Sequence, residues 1–153
     1  MYVRLVSLAL ATMLLCSCSA LSFIGLGDDE PESKQLQMVD FGIYEDQSLK
    51  IETTSVPMAL GKTFGFRFKL VNPDAATMKV VISTVSPGMI NPEKTDVEFK
   101  NEIEADIRVG EIYGCTFTFE RKWELVDGEW TLEVRTENGE SISKKFQVYN
   151  PQQ

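Results

Sequence analysis

The sequence predicts an all-β domain, an antiparallel sandwich of two sheets and about seven strands, preceded by a signal peptide and a flexible tether. Three observations carry this reading. From Leu36 onward apolar residues recur with a period of two and not 3.6. Turn-forming pairs interrupt that pattern at short intervals. No long amphipathic helix stands out, residues 96–107 being the one ambiguous stretch. A sheet with one apolar face must bury it against another layer, so short strands of this kind imply two packed sheets.

The strands follow in order. Val39, Phe41 and Ile43 alternate with Met38, Asp40 and Gly42. Phe64, Phe66, Phe68 and Leu70 alternate with Gly65, Arg67 and Lys69. Residues 78–82 form a shorter apolar run, read as a strand. Val97 and Phe99 alternate with Asp96, Glu98 and Lys100. Tyr113, Cys115, Phe117 and Phe119 share one face, opposite Gly114, Thr116, Thr118 and Glu120. Trp130, Leu132 and Val134 alternate with Thr131, Glu133 and Arg135, and Ile142, Phe146 and Val148 lie opposite Ser143, Lys145 and Gln147. Each such strand has one buried and one wet face. Turns are expected at Asn72-Pro73-Asp74, Pro87-Gly88, Asn91-Pro92, Asp127-Gly128 and Asn138-Gly139, the last a type I′ hairpin signal.

The N-terminus has a different character. Arg4 precedes an apolar run over residues 5–15. That run is shorter than the roughly 20 residues a membrane span needs and has the layout of a secretory signal. It ends in Leu15-Cys16-Ser17-Cys18, which reads as a bacterial lipobox with Cys18 as the lipidated residue. Small Ser17 leaves room for cleavage before Cys18, whereas Cys16 follows bulky Leu15; cleavage after Ala20 is the plainer alternative. The expected organisation is a lipoprotein signal peptide at 1–17, a lipidated N-terminus and tether at 18–35, and the β-sandwich at 36–150. The tether holds Gly25, Gly27, Asp28-Asp29-Glu30 and Pro31, a composition that stays solvated, along with an apolar patch at 21–26. Several acyl chains such as palmitate on Cys18 make a stable anchor, at about 0.8 kcal/mol per buried methylene. The expected location is the cell envelope, and the outer membrane if the host is Gram-negative, because Ser19 is not the aspartate associated by analogy with inner-membrane retention.

Composition narrows function. The chain has 15 Lys plus Arg against 23 Asp plus Glu, a formal net charge of −8. Loss of Arg4 with the signal makes it −9, so phosphate backbones and anionic head groups repel it. No nucleic-acid partner is expected, and attachment to the membrane falls to the lipid on Cys18. Histidine is absent, which removes Ser-His-Asp and Cys-His catalysis and the usual zinc and copper ligand sets. With Cys16 lost and Cys18 acylated, Cys115 has no disulfide partner. Its parity with Phe117 and Phe119 marks it as core and not a redox thiol.

Three motif matches fail on context. Ser141-Ile142-Ser143-Lys144 fits the S-x-x-K pattern, but on a strand residues three apart face opposite ways. Gly25-Leu26-Gly27 lacks the third glycine, strand and helix of a dinucleotide loop. Glu93, Asp96, Glu98, Glu102, Glu104 and Asp106 lack calcium-loop spacing and fit a solvated face. No catalytic residue, metal ligand or cofactor site is assigned. Trp123 is the one candidate ligand contact. It is core if its strand runs straight on from Phe119, and a cap or an exposed platform if the chain crosses between sheets near Arg121.

Several segments together are similar to a known family: Phe41-Gly42-Ile43-Tyr44, Val56-Pro57, Gly61-Lys62-Thr63-Phe64-Gly65-Phe66-Arg67-Phe68, Thr118-Phe119-Glu120, the run Glu124-Leu125-Val126-Asp127-Gly128-Glu129-Trp130, and Phe146-Gln147-Val148. They resemble exported bacterial proteins with an immunoglobulin-like domain and no assigned function, over roughly residues 36–148. Asp127 stands where the family pattern has proline, a tolerable change in a turn. The resemblance implies an immunoglobulin-like fold and an exported location; it carries over no catalytic or binding residue.

The expected function is therefore a non-enzymatic, lipid-anchored binding or interaction module facing an envelope protein or glycan. The alternatives are a carboxylate-dependent glycan hydrolase, which needs no histidine, and a structural accessory subunit of an envelope complex. Fold alone does not decide among them.

Overall fold

The computed structural model describes residues 35–71 and 76–152. The proposed signal peptide, Cys18, all but Gln35 of the expected tether and the turn at Asn72-Pro73-Asp74 lie outside the described residues. Nine strands follow in order: β1 (Leu36–Glu45), β2 (Ser48–Ile51), β3 (Ser55–Pro57), β4 (Thr63–Leu70), β5 (Thr77–Ile90), β6 (Val97–Arg108), β7 (Ile112–Thr118), β8 (Gly128–Thr136) and β9 (Ser141–Tyr149). Among the described residues one 3₁₀ turn, Lys122–Glu124, lies between β7 and β8. The strands form a four-stranded sheet, β2-β1-β4-β7, and a five-stranded sheet, β3-β9-β8-β5-β6. Seven correspond to the expected strands; β2 and β3 are additional and short. All pairs are antiparallel except β3 with β9, which is parallel. The ambiguous stretch at 96–107 is β6.

The inward faces meet as the alternation requires. Phe64, Phe66, Phe68 and Cys115 from one sheet and Trp130, Leu132, Val134, Phe146 and Val148 from the other are fully buried. Aromatic packing centres on Trp130, whose ring lies 4.9 Å from Phe117 and 5.6 Å from Phe119, the latter edge-on. Its indole N–H donates to the Val126 carbonyl at 3.0 Å, so the large apolar body is buried with its polar tip satisfied.

Three local features depart from simple alternation. β1 bulges between Met38 and Asp40, so Met38 pairs with Phe68 and Phe41 with Phe66, both on the inner face. The extra residue, Val39, turns to solvent, against its expected burial. Pro87-Gly88 is no turn; it sits in a bulge of β5, between Val85 and Met89 in the β5–β6 register. The Asn138-Gly139 hairpin is not type I′ either, because only Gly139 has positive φ. Its Gly139 N–H donates to Thr136 O and its Thr136 N–H to Glu140 O, a turn closed by one glycine in the left-handed region. Two consecutive left-handed residues occur instead at Asp46 (φ 48°) and Gln47 (φ 64°), the two-residue connection between β1 and β2.

Candidate functional site

The outer face of the four-stranded sheet carries a groove of about 500 Å³. Its lining includes Tyr44, Asp46, Gln47, Thr63, Arg67, Tyr113, Gly114, Thr116 and Thr118. The register explains the assembly. Tyr44 pairs with Thr63, Thr63 with Thr118, and Arg67 with both Asp40 and Gly114, so outward positions of three strands lie side by side. Gly114 adds no side chain beside Arg67, which leaves the surface open there.

One wall is a fixed polar cluster. The Arg67 guanidinium forms a salt bridge with Asp40, its Nε donating to the carboxylate at 2.9 Å and its Nη2 in close contact with Oδ2. The Tyr44 hydroxyl donates to the same carboxylate at 2.7 Å, and the guanidinium stands 5.8 Å from the Tyr44 ring centroid, within cation–π range. The hydrogen bond from Arg67, with help from Tyr44, holds Asp40 below the usual carboxylate range despite its partial burial. Burial, and then the Asp40 carboxylate, raise the Tyr44 hydroxyl well above the usual phenol range. Asp40 thus stays ionised and Tyr44 neutral at any ordinary pH. Beside Tyr44, the Thr63 and Thr118 hydroxyls share a hydrogen bond at 2.8 Å. Tyr113 borders the groove, but its side chain belongs to the inner face, the ring 6.0 Å from Phe68 and the hydroxyl donating to Glu111 at 2.6 Å and accepting the Arg108 N–H of β6 at 2.9 Å. The arrangement presents hydroxyls and a guanidinium in fixed positions and suits binding of a polar ligand.

Trp123 lies elsewhere, in the 3₁₀ turn where the chain crosses from β7 to β8. Of the cases left open by the sequence, the crossing is the one observed. Trp123 packs half-buried against the core with Leu125 and Val126, and the Glu124 carboxylate fixes the turn by accepting the N–H groups of Glu120 (2.7 Å) and Arg121 (2.9 Å). Cys115 is fully buried, its thiol pushed up to about 12 first by burial and then by the Glu133 carboxylate. Ser141 and Lys144 lie on β9, with the Lys144 ammonium 4.2 Å from the Phe41 ring centroid. The acidic row of β6 does not converge on a point. Glu98, Glu102 and Asp106 pair with Lys94, with Lys100 and Arg135, and with Lys79, and no metal-holding cluster occurs among the described residues.

Sequence reasoning missed the groove because its residues are scattered and form no motif. The available signal was an outward Asp40 and an outward Arg67 on strands that pair.

The chain shares its fold with a protein of known structure. It is similar to the crystal structure of an immunoglobulin-like protein from Pseudomonas aeruginosa, with 24% identity and a TM-score of 0.65, over 82% of this chain and 100% of that one. This likeness establishes the fold. A β-glucosidase from Listeria innocua in complex with glucose also aligns, at 12% identity and a TM-score of 0.37, over 74% of this chain and 16% of that one; no argument rests on it. No curated protein matches. Residues 22–148 match the family described as a domain of unknown function, DUF3859. That span is most of the chain, and the protein, an immunoglobulin-like β-sandwich, belongs to this family.

Proposed function

We propose that the protein is a lipid-anchored component of the bacterial cell envelope, held through Cys18, whose immunoglobulin-like domain binds a polar envelope ligand in the groove on its four-stranded sheet. The observation that carries the binding role is the preorganised lining of Tyr44 and Arg67, both held by Asp40, beside the hydroxyls of Thr63, Thr116 and Thr118. Hydroxyl and guanidinium groups match the hydroxyl and carbonyl groups of a glycan first, and a protein loop second. The anchor reading is supported by the lipobox and its apolar run, and by an acidic chain that gives no electrostatic route to anionic lipid.

Binding is favoured over hydrolysis for a chemical reason. Glycoside hydrolysis uses a pair of carboxyl groups flanking the bond, whereas Asp46 is the one carboxylate among the described residues of the groove lining.

The test places a photo-crosslinking residue at Thr116 in the groove, or at Glu129 on the outer face of the other sheet, in cells of the native host. Irradiation is expected to give a glycan or protein adduct from position 116 and not from position 129. Equal adducts from both positions, or none from 116, remove the groove as the binding site.

A further inference from the structure

The longest edge of the sandwich is guarded by charge alone. Among the described residues β6 pairs with β5 on one side and with no strand on the other. A free edge offers its N–H and C=O groups to any further strand, and proteins ordinarily blunt it with short strands, proline, bulges or lysines. The other edges are short: β2 has 4 residues, β3 has 3 and β7 has 7. β6 runs for 12 residues without proline or glycine.

Its inner face is also uncovered. Phe99 and Ile103 share the parity of fully buried Ile107, yet stand 56% and 57% exposed. Five strands face four, and along Phe99 and Ile103 β6 packs chiefly on β5; it meets the opposing sheet at its C-terminal end, where Ile107 is buried and the Arg108 N–H donates to the Tyr113 hydroxyl of β7. Phe99 is held in place nonetheless, its ring and Val97 lying against Gly88 on β5; an added methyl at Gly88 would come within 2.9 Å of both. The outer face carries Glu98, Glu102, Glu104 and Asp106 against Lys100 and Arg108. The ion pairs that engage three of these carboxylates are at the surface, where each contributes little and exchanges readily.

We propose that β6 receives an extended segment of another protein, alternating apolar and basic residues, as an added antiparallel or parallel strand. The apolar residues cover Phe99 and Ile103, the basic ones meet the carboxylate row, and the backbone ladder supplies affinity. Charge decides against the other occupants. A second copy brings the same acidic row to the seam. The chain's own residues 19–34 carry Asp28, Asp29, Glu30 and Glu32 against Lys34.

The experiment uses the full chain in non-ionic detergent and a 12-residue probe peptide of alternating lysine and valine. Controls are the same peptide N-methylated at every second residue, which keeps the charge but cannot extend a ladder, and an alternating glutamate–valine peptide. The lysine–valine peptide is expected to bind and slow hydrogen exchange of the β6 amides; both controls are expected to bind at least tenfold more weakly. Phe99→Lys with Ile103→Lys is expected to weaken binding of the lysine–valine peptide at least tenfold while exchange in β8 stays unchanged, which shows the fold intact. Equal binding of the N-methylated peptide, absence of β6 protection, or no binding at all overturns the proposal. So does a dimer whose β6 amides are already protected without peptide.

Discussion

Asp40 shows how one outward residue ties stability to pH. Its carboxylate accepts hydrogen bonds from Arg67 and Tyr44, and its folded pKa lies below the ordinary value. A depressed carboxylate contributes stability that is present above the unfolded pKa, near 4, and is lost as pH falls through the folded value. Asp40→Asn is therefore expected to lose about 1–3 kcal/mol at pH 7. Its stability is expected to fall less than that of the wild type between pH 4 and pH 2, as urea denaturation at each pH will show. Parallel curves would mean that the pair contributes nothing. Cys115 gives the opposite kind of behaviour. Fully buried, with its thiol pushed up to about 12, it has almost no thiolate at pH 8. A thiol reagent is expected to label it quickly only after denaturant is added; prompt labelling of the native protein would show that the core opens.

At the scale of elements, backbone conformation sets the sharpest expectations. Gly65 on β4 has φ +147°, and a Cβ there would stand 2.2 Å from the Cys115 carbonyl oxygen on β7. Neither backbone can give way without breaking the pairing, so Gly65→Ala is expected to destabilise by on the order of 3 kcal/mol. The β1–β2 connection is strained in a way that can be relieved. Gln47 holds φ 64° without the freedom of glycine, and Gln47→Gly is expected to raise stability by about 1 kcal/mol, read from the denaturation midpoint. Both residues of that turn line the groove, where strain of this kind is often retained for function. These cases also mark what the sequence could disclose. Strand existence and most inward faces were legible, because Phe64, Phe66 and Phe68 or Trp130, Leu132 and Val134 record burial directly as a period of two. Bulges were not, because the one extra residue at Val39 reverses parity with no change in composition. The type I′ turn at Asp46-Gln47 was hidden because it lacks the glycine that usually announces one. The exposure of Phe99 and Ile103 depends on how many strands the other sheet has, which no local pattern encodes. The groove depends on register among β1, β4 and β7.

For the whole molecule the decisive quantities are net charge and the position of Cys18. Cleavage before Cys18, as proposed, would leave a formal charge of −9, and the described outer faces carry ion pairs of both signs. Electrostatic attachment to an anionic membrane would weaken as salt shortens the screening length from about 10 Å at 0.1 M to about 3 Å at 1 M. Attachment through buried acyl chains is indifferent to that change. The wild-type chain, expressed in its native host, is expected to incorporate a labelled fatty acid and to stay with the membrane fraction in both 0.1 M and 1 M salt. Cys18→Ala is expected to be unlabelled and absent from the membrane fraction at both. A Cys18→Ala protein that stays bound at low salt and leaves at high salt would place the attachment on a protein partner or lipid head group. One that stays bound at both would place it on the uncleaved apolar segment at residues 5–15. Either result would move the origin of the envelope location away from Cys18.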